Sequence, residues 1–247
     1  MTNDWPYPQW IAHRGAGKLA PENTMSAFRL GASMGYRMFE CDAKLSADGV
    51  IFLLHDATLE RTTNGQGIGG NCNWSELSQL DAGSWHSPTY AGEPLATLKN
   101  LAHFCMTNTC DLNIEIKPTP GIGAETGRRV AQMVIELWQS HPQQPLLSSF
   151  DIEALQSAQH AAPHLHRGLL LDVMRDDWID VALQLECSAI ICNYKLWTAL
   201  RVESVHQAGM KALSYTVNEV EAVTHLLDLK TDGIITDRVD LLNPRAR

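Results

Sequence analysis

The strongest constraint in the 247-residue chain is a repeated alternation of short apolar runs with longer amphipathic ones. Strand patterns fall at 10–13, 37–45, 50–55, 112–117, 146–150, 167–171, 189–193, 211–217 and 233–236. Helical patterns fall at 24–34, 95–108, 124–140, 152–161, 177–185, 198–208 and 220–229. Strand followed by helix, over and over, builds βαβ units and a parallel sheet. About eight such units in this length predict an α/β fold, a (β/α)8 TIM barrel, over an open sheet. The glycine fingerprints of nucleotide-binding open sheets are missing. The run His13-Arg14-Gly15-Ala16-Gly17-Lys18 follows a strand but has neither G-x-G-x-x-G nor the P-loop spacing.

Nine strand patterns exceed the eight that a barrel needs. Only Ser46-Ala47-Asp48-Gly49 separates 37–45 from 50–55, too short for a helical crossover. Asp48-Gly49 is a hairpin signal, so these two runs are expected to pair antiparallel. A four-residue loop places His55 opposite Glu40, to within one residue of register. The alternative is a tight parallel connection with a degenerate helix. The stretch 57–94 breaks the rhythm, with several glycines, Trp74 and Trp85, and one short helical pattern at 73–80. A segment this long after a barrel strand exceeds ordinary loop length. It is expected to be a small insertion subdomain capping the mouth of a single barrel domain spanning 1–247.

Composition narrows the partners. Lys and Arg number 19 against 28 Asp and Glu, a formal charge of −9. That balance argues against nucleic acid and anionic membranes, which need basic patches. No apolar run approaches a membrane span, and 1–10 is polar, with neither a basic start nor an apolar segment. The six cysteines form no C-x-x-C pair, so free thiols and a cytoplasmic location are expected.

Strand faces alternate with period two. In 37–45, Met38, Glu40, Asp42 and Lys44 share one face, and Phe39, Cys41, Ala43 and Leu45 share the other. The apolar face meets the helices, so Glu40 and Asp42 point into the barrel. In 112–117 the inward set is Asn113, Glu115 and Lys117. Three inward carboxylates repel one another strongly and need a cation or a proton. They are expected to hold a hard divalent cation, Mg²⁺ or Ca²⁺. Zinc fits less well, because the set has no thiolate and no histidine pair at ligand spacing. The competing reading is a buried salt-bridge cluster with Lys44 and Lys117.

His13 and His55 each close a strand, where barrel side chains read as catalytic. Two histidines can serve as general acid and general base across a phosphorus centre, so this pair is expected to carry the reaction. The charges also suit a phosphodiester. Glu40, Asp42 and Glu115 contribute −3. A divalent cation with Arg14 and Lys117 contributes +4, leaving +1 for one monoanion.

The ordered set His13-Arg14-Gly15, Pro21-Glu22-Asn23-Thr24, Glu40-x-Asp42, His55-Asp56, Arg61-Thr62-Thr63-Asn64-Gly65 and Glu115-x-Lys117 resembles the glycerophosphodiester phosphodiesterases. Ser148-Ser149-Phe150, Tyr215-Thr216-Val217-Asn218 and Asp232-Gly233-Ile234-Ile235-Thr236-Asp237 extend the resemblance over about residues 10–240, most like the short cytosolic bacterial type. It implies a barrel with a small insertion that hydrolyses small glycerophosphodiesters to sn-glycerol 3-phosphate and an alcohol. It implies His13 and His55 as the acid/base pair, Glu40, Asp42 and Glu115 as metal ligands, and Arg14 and Lys117 as phosphate contacts. The attacking group is water or the glycerol 2-hydroxyl. Tyr215 and Ala96 depart from the family's usual Trp and Pro. The rival expectations are a lipid-directed phospholipase of the same superfamily and a non-catalytic phosphodiester-binding barrel. Phe150, Asn193 and Tyr215 are candidates for lining the pocket.

Overall fold

The computed structural model describes residues 5–242, so the first four residues of the polar N-terminal stretch lie outside the described residues. The elements run β1 (Trp10–Ala12), α1 (Met25–Ser33), β2 (Met38–Leu45), β3 (Ile51–Leu53), α2 (Trp74–Leu77) and α3 (Leu98–Asn108). They continue with β4 (Asp111–Ile116), α4 (Gly123–Trp138), β5 (Leu146–Ser149), α5 (Ile152–Ala161), β6 (Arg167–Leu171) and α6 (Trp178–Gln184). The chain closes with β7 (Ala189–Asn193), α7 (Ala199–Gln207), β8 (Lys211–Tyr215), α8 (Val220–Asp228) and β9 (Gly233–Thr236). The strands order β1-β9-β8-β7-β6-β5-β4-β2-β3, and β1 also pairs with β2. Eight parallel strands therefore close into a barrel, with helices following them: a (β/α)8 barrel with one extra strand.

That extra strand is β3. It pairs antiparallel with β2 through Ala43↔Leu53, Lys44↔Phe52 and Leu45↔Ile51. On the same edge β1 reaches β2 only at Phe39, so the far end of β2 outruns the barrel and leaves an edge that β3 covers. The register continues to Asp42 against Leu54, whose amide donates to the Asp42 carbonyl. It is displaced by one residue from the expected Glu40–His55 pairing, and the strand pairing stops at Leu53, so His55 lies beyond it.

The period-two alternation is realised on both sides of the wall. Phe39, Cys41, Ala43, Leu45, Leu112, Ile114 and Ile116 pack outward with the helices. Met38 packs inward with Ile11, Leu146, Leu170, Ile191, Leu213 and Ile235 as an apolar floor. Glu40, Asp42 and Glu115 come later along the same strands, so the barrel interior turns polar towards its C-terminal end. Several helices start on a side-chain cap: the Thr24, Thr97, Asp151 and Thr198 side chains accept from amides three residues on. Residues 57–94 hold α2 and form a separate apolar cluster of Leu59, Leu77 and Ala82 with Phe52, Leu54 and Leu95. The Ser26 amide and hydroxyl donate to Glu93, tying that segment to α1. All six cysteines are free.

Candidate functional site

Parallel pairing of β2 with β4 sets Glu40 beside Asn113 and Asp42 beside Glu115. Neighbours in register point to the same side, so the three carboxylates converge inside the barrel. One oxygen from each of Glu40, Asp42 and Glu115 lies within 4.8 Å of the others, and all three residues are buried. Asp42 is anchored by Asn23, whose Nδ2 donates to Oδ2 at 2.8 Å and whose Oδ1 accepts from the Asp42 amide at 3.1 Å. The Arg14 amide donates to Glu40 Oε2 at 3.1 Å.

The loop after β1 delivers Arg14 by an unusual path. Arg14 itself has φ +49° and Gly15 has φ +102°. A Cβ at Gly15 would stand 2.8 Å from the Ala27 Cβ, so only glycine lets the loop lie this close to α1. Arg14 Nε then stands 3.0 Å from Asp42 Oδ2, and Nη1 donates to Glu22 Oε1 at 2.9 Å. From the other side Lys117 Nζ donates to Glu115 Oε1 at 2.6 Å and stands 3.8 Å from Asp42 Oδ1. Lys44 does not join the cluster by contact; its Nζ donates to the Lys117 carbonyl at 3.0 Å.

The electrostatics divide the carboxylates. Burial pushes the Glu40 carboxyl well up, and the charges of Asp42 and Glu115 add to that. Burial and then Asp42 push Glu115 up to about 7. Burial acts the same way on Asp42, but Arg14, His55 and Lys117 overcome it and hold the group down to about 2. Buried Glu40 Oε1 and Asp42 Oδ1 have no hydrogen-bond partner. Unpartnered buried carboxylate oxygens are costly. Two of them facing a third carboxylate at this distance form a donor set of hard oxygens that suits a divalent cation.

This geometry corrects the expectation of a reaction carried by the His13/His55 pair. His13 shares a 2.6 Å hydrogen bond between Nδ1 and Asp237 Oδ1, and Asn218 Nδ2 holds the other Asp237 oxygen at 2.9 Å. His55 Nδ1 is 2.7 Å from Asp56 Oδ1, and Arg61 donates to the same carboxylate. The Nδ1 of each ring is thus held by its own carboxylate. The groups that converge with unsatisfied valence are acidic. The catalytic cluster is Glu40–Asp42–Glu115.

The cluster opens into a cavity of about 330 Å³ lined by Glu40, Glu115, His13, Arg14, His55 and Lys117 among others. Asp42 lies beneath its surface, fully buried. Of the three lining candidates, Phe150 and Tyr215 reach the cavity, packed edge-to-face with centroids 5.8 Å apart. Asn193 stands behind it and donates to Asp172 Oδ1 at 3.1 Å. Asp172, which lines the cavity and receives the more distant Tyr215 hydroxyl, was not anticipated. Its place directly after β6 is the signal that marks it. The carboxylates behind the histidines, Asp237 and Asp56, were visible only as motif members.

The pattern that defines the Glycerophosphoryl diester phosphodiesterase family matches residues 13–241. The chain is 32% identical to a glycerophosphodiester phosphodiesterase of Caldanaerobacter subterraneus, over 94% of this chain and 95% of that one. Its fold is similar to that of an Oleispira antarctica phosphodiesterase solved with the product sn-glycerol-3-phosphate. That likeness has a TM-score of 0.86, 33% identity and 93% coverage of each chain. A glycerophosphodiester phosphodiesterase from Agrobacterium tumefaciens is similar at TM-score 0.78 and 30% identity, covering 96% of this chain and 99% of that one.

Proposed function

The chain belongs to the glycerophosphoryl diester phosphodiesterase family and is a phosphoric diester hydrolase, and from that premise we propose that its substrates are small glycerophosphodiesters. The products are sn-glycerol 3-phosphate and the corresponding alcohol. The observation that carries this reading is the pair of unpartnered oxygens, Glu40 Oε1 and Asp42 Oδ1, in a buried acidic cluster flanked by Arg14 and Lys117.

Glu40, Asp42 and Glu115 would hold the cation, Mg²⁺ or Ca²⁺, which when bound neutralises phosphate charge and lowers the pKa of a nucleophile. Arg14 and Lys117 bind phosphate oxygens, and their carboxylate partners hold both cations in place before substrate arrives. His13 and His55 belong to the pocket wall as hydrogen-bonding contacts to the diester, each steadied by its own carboxylate. Asp42 stays ionised because Arg14 and Lys117 face it, so the cluster keeps a permanent negative charge for the metal. Residues 57–94 serve as an insertion that caps the mouth of one barrel domain spanning 1–247. Arg61 supports that role by bridging Glu22 and Asp56 beside the pocket. Among the described residues no helix is long and apolar enough to cross a membrane. Six free thiols suit a reducing compartment, which supports a cytoplasmic location.

The test is release of sn-glycerol 3-phosphate from glycerophosphocholine before and after chelation. Release should stop with chelator and return with Mg²⁺ or Ca²⁺. Release that persists in chelator, or in Glu115→Ala, would overturn the reading.

A further inference from the structure

Beside the first cavity lies a second, of about 310 Å³, and the two share His13 and Arg14 as a common wall. A phosphodiester carries two alcohol arms on one phosphorus. A phosphate held at Arg14 therefore has a cavity for each arm. The first cavity offers Asp172, Tyr215 and Phe150. The second is walled by Lys18, Arg61, Trp85 and His86, two of them from the 57–94 segment's later half.

The charges of this second cavity are mostly spent. Glu22 is bound by both Arg14 and Arg61, and Arg61 also grips Asp56. Asp237 is taken by His13 and Asn218. Lys18 is different: it is exposed, and its ammonium acts on Asp237 only through its charge, with no contact ion pair to it. Its carbonyl accepts from His86 Nε2 at 3.1 Å, which places the loop of Lys18 against the insertion. Trp85 is 40% exposed there although its indole nitrogen is already used, donating to the Ala82 carbonyl at 2.8 Å. The exposed indole face would attract a quaternary ammonium, but the Lys18 ammonium beside it repels one, so the pair gives choline little net hold. The pair suits a ring or chain of hydroxyls, which accept from the ammonium and lay their C–H face on the indole.

We propose that this second cavity is the leaving-alcohol subsite and that it prefers an uncharged polyol, such as inositol or glycerol, over choline. The proposal rests on the hydrolytic reading above. It is tested by kinetics on glycerophosphoinositol, glycerophosphocholine and the methyl ester of sn-glycerol 3-phosphate, which lacks the second arm. Lys18→Ala should raise KM for glycerophosphoinositol about five- to tenfold, the loss of one charge-assisted hydrogen bond at an open site. Its effect on the methyl ester should be at least about fivefold smaller, and the preference for inositol over choline should shrink. Trp85→Leu should shift KM in the same pattern. Equal shifts for all three substrates, or none, would overturn the subsite. If the unaltered protein releases glycerol 3-phosphate from no substrate, the hydrolytic reading fails by itself. The subsite is then read by saturation-transfer NMR with glycerophosphoinositol. Inositol ring signals that weaken in Lys18→Ala uphold it, and signals equal in both proteins overturn it.

Discussion

Glu40→Gln separates a metal centre from a structural ion cluster, because the two make opposite predictions for the metal-free protein. Gln keeps the shape, and its carbonyl can still accept from the Arg14 amide that now bonds Glu40 Oε2. It replaces the unpartnered Oε1 with an NH₂ donor facing two acidic neighbours. At the 4.8 Å limit of the cluster, two unit charges repel by about 3.5 kcal/mol at an effective dielectric of 20. Glu40 takes part in two such pairs. Its carboxyl, pushed well up by burial and by Asp42 and Glu115, escapes part of that repulsion by holding a proton. The gain in metal-free Glu40→Gln at neutral pH is therefore smaller, about 1–3 kcal/mol, or roughly 2–12 °C in Tm for a chain of this size. Its pH dependence has a definite sign. A raised carboxyl contributes stability that is full below its unfolded pKa and is lost as pH rises through its folded one. Gln has no such group, so its advantage should widen as pH rises. With cation the order reverses, since one of three ligand charges is gone, and affinity should fall by at least about 100-fold. Differential scanning calorimetry in chelator across pH, paired with titration calorimetry of Mg²⁺ and Ca²⁺, reads both effects. A variant that is less stable in chelator and binds cation as tightly as before would refute the metal-centre argument.

Lys117→Met unpairs Glu115 and removes the phosphate contact proposed above, so kcat/KM for glycerol 3-phosphate release should fall about 100-fold, the cost of one preset charge contact. Circular dichroism should show the barrel intact. Asp111 is half-buried at the start of β4, and burial pushes its carboxyl up to about 6. The wild-type should lose stability as pH rises from about 4 to 6, and Asp111→Asn should lack that slope. Discounted for partial exposure, the variant should be about 1–2 kcal/mol more stable at pH 8 by urea unfolding. Asn218→Ala frees Asp237 and with it the His13 ring, so activity should drop about tenfold without loss of metal affinity. Unchanged turnover would show that the ring needs no such support.

Much of the barrel was legible because its cause is local. The alternation in β2 reads directly as Met38, Glu40 and Asp42 inside and Phe39, Cys41 and Ala43 outside, and both faces pack that way. Helix α5 matches the pattern at both ends because Asp151 caps it and its amphipathic run stops at Ala161. Elsewhere the ends drift: the helical pattern from 95 becomes α3 only at Leu98, after the Thr97 cap. The one-residue slip of β3 is also local in origin, since the pattern alone does not choose between hairpin loops that differ by a residue. What was hidden is whatever barrel closure brings together. Asp237 meets His13 across 224 positions, and no periodicity links them. Asp172 gains its place only once the closed barrel sets the end of β6 on the same cavity as Glu40 and Glu115.

The shift of emphasis from histidines to carboxylates follows from how each is satisfied. Reading by type favours histidine, whose ordinary pKa lies near neutrality. Inside the barrel that reasoning loses its force, because burial moves Glu115 up to about 7 while Arg14 and Lys117 keep its neighbour Asp42 at about 2. Two acids in register on adjacent strands thus move in opposite directions, because burial and Asp42 raise Glu115 while Arg14 and His55 hold Asp42 down. The histidines, by contrast, are each closed off at Nδ1 by Asp237 and Asp56. The unsatisfied valence in this interior therefore sits on Glu40 Oε1 and Asp42 Oδ1, with Arg14 Nε beside them, and in a chain of net charge −9 that oxygen set suits a cation. Net charge describes the surface as a whole. The local charge is set by Arg14 and Lys117, which stand 3.0 Å and 2.6 Å from oxygens of the acidic cluster.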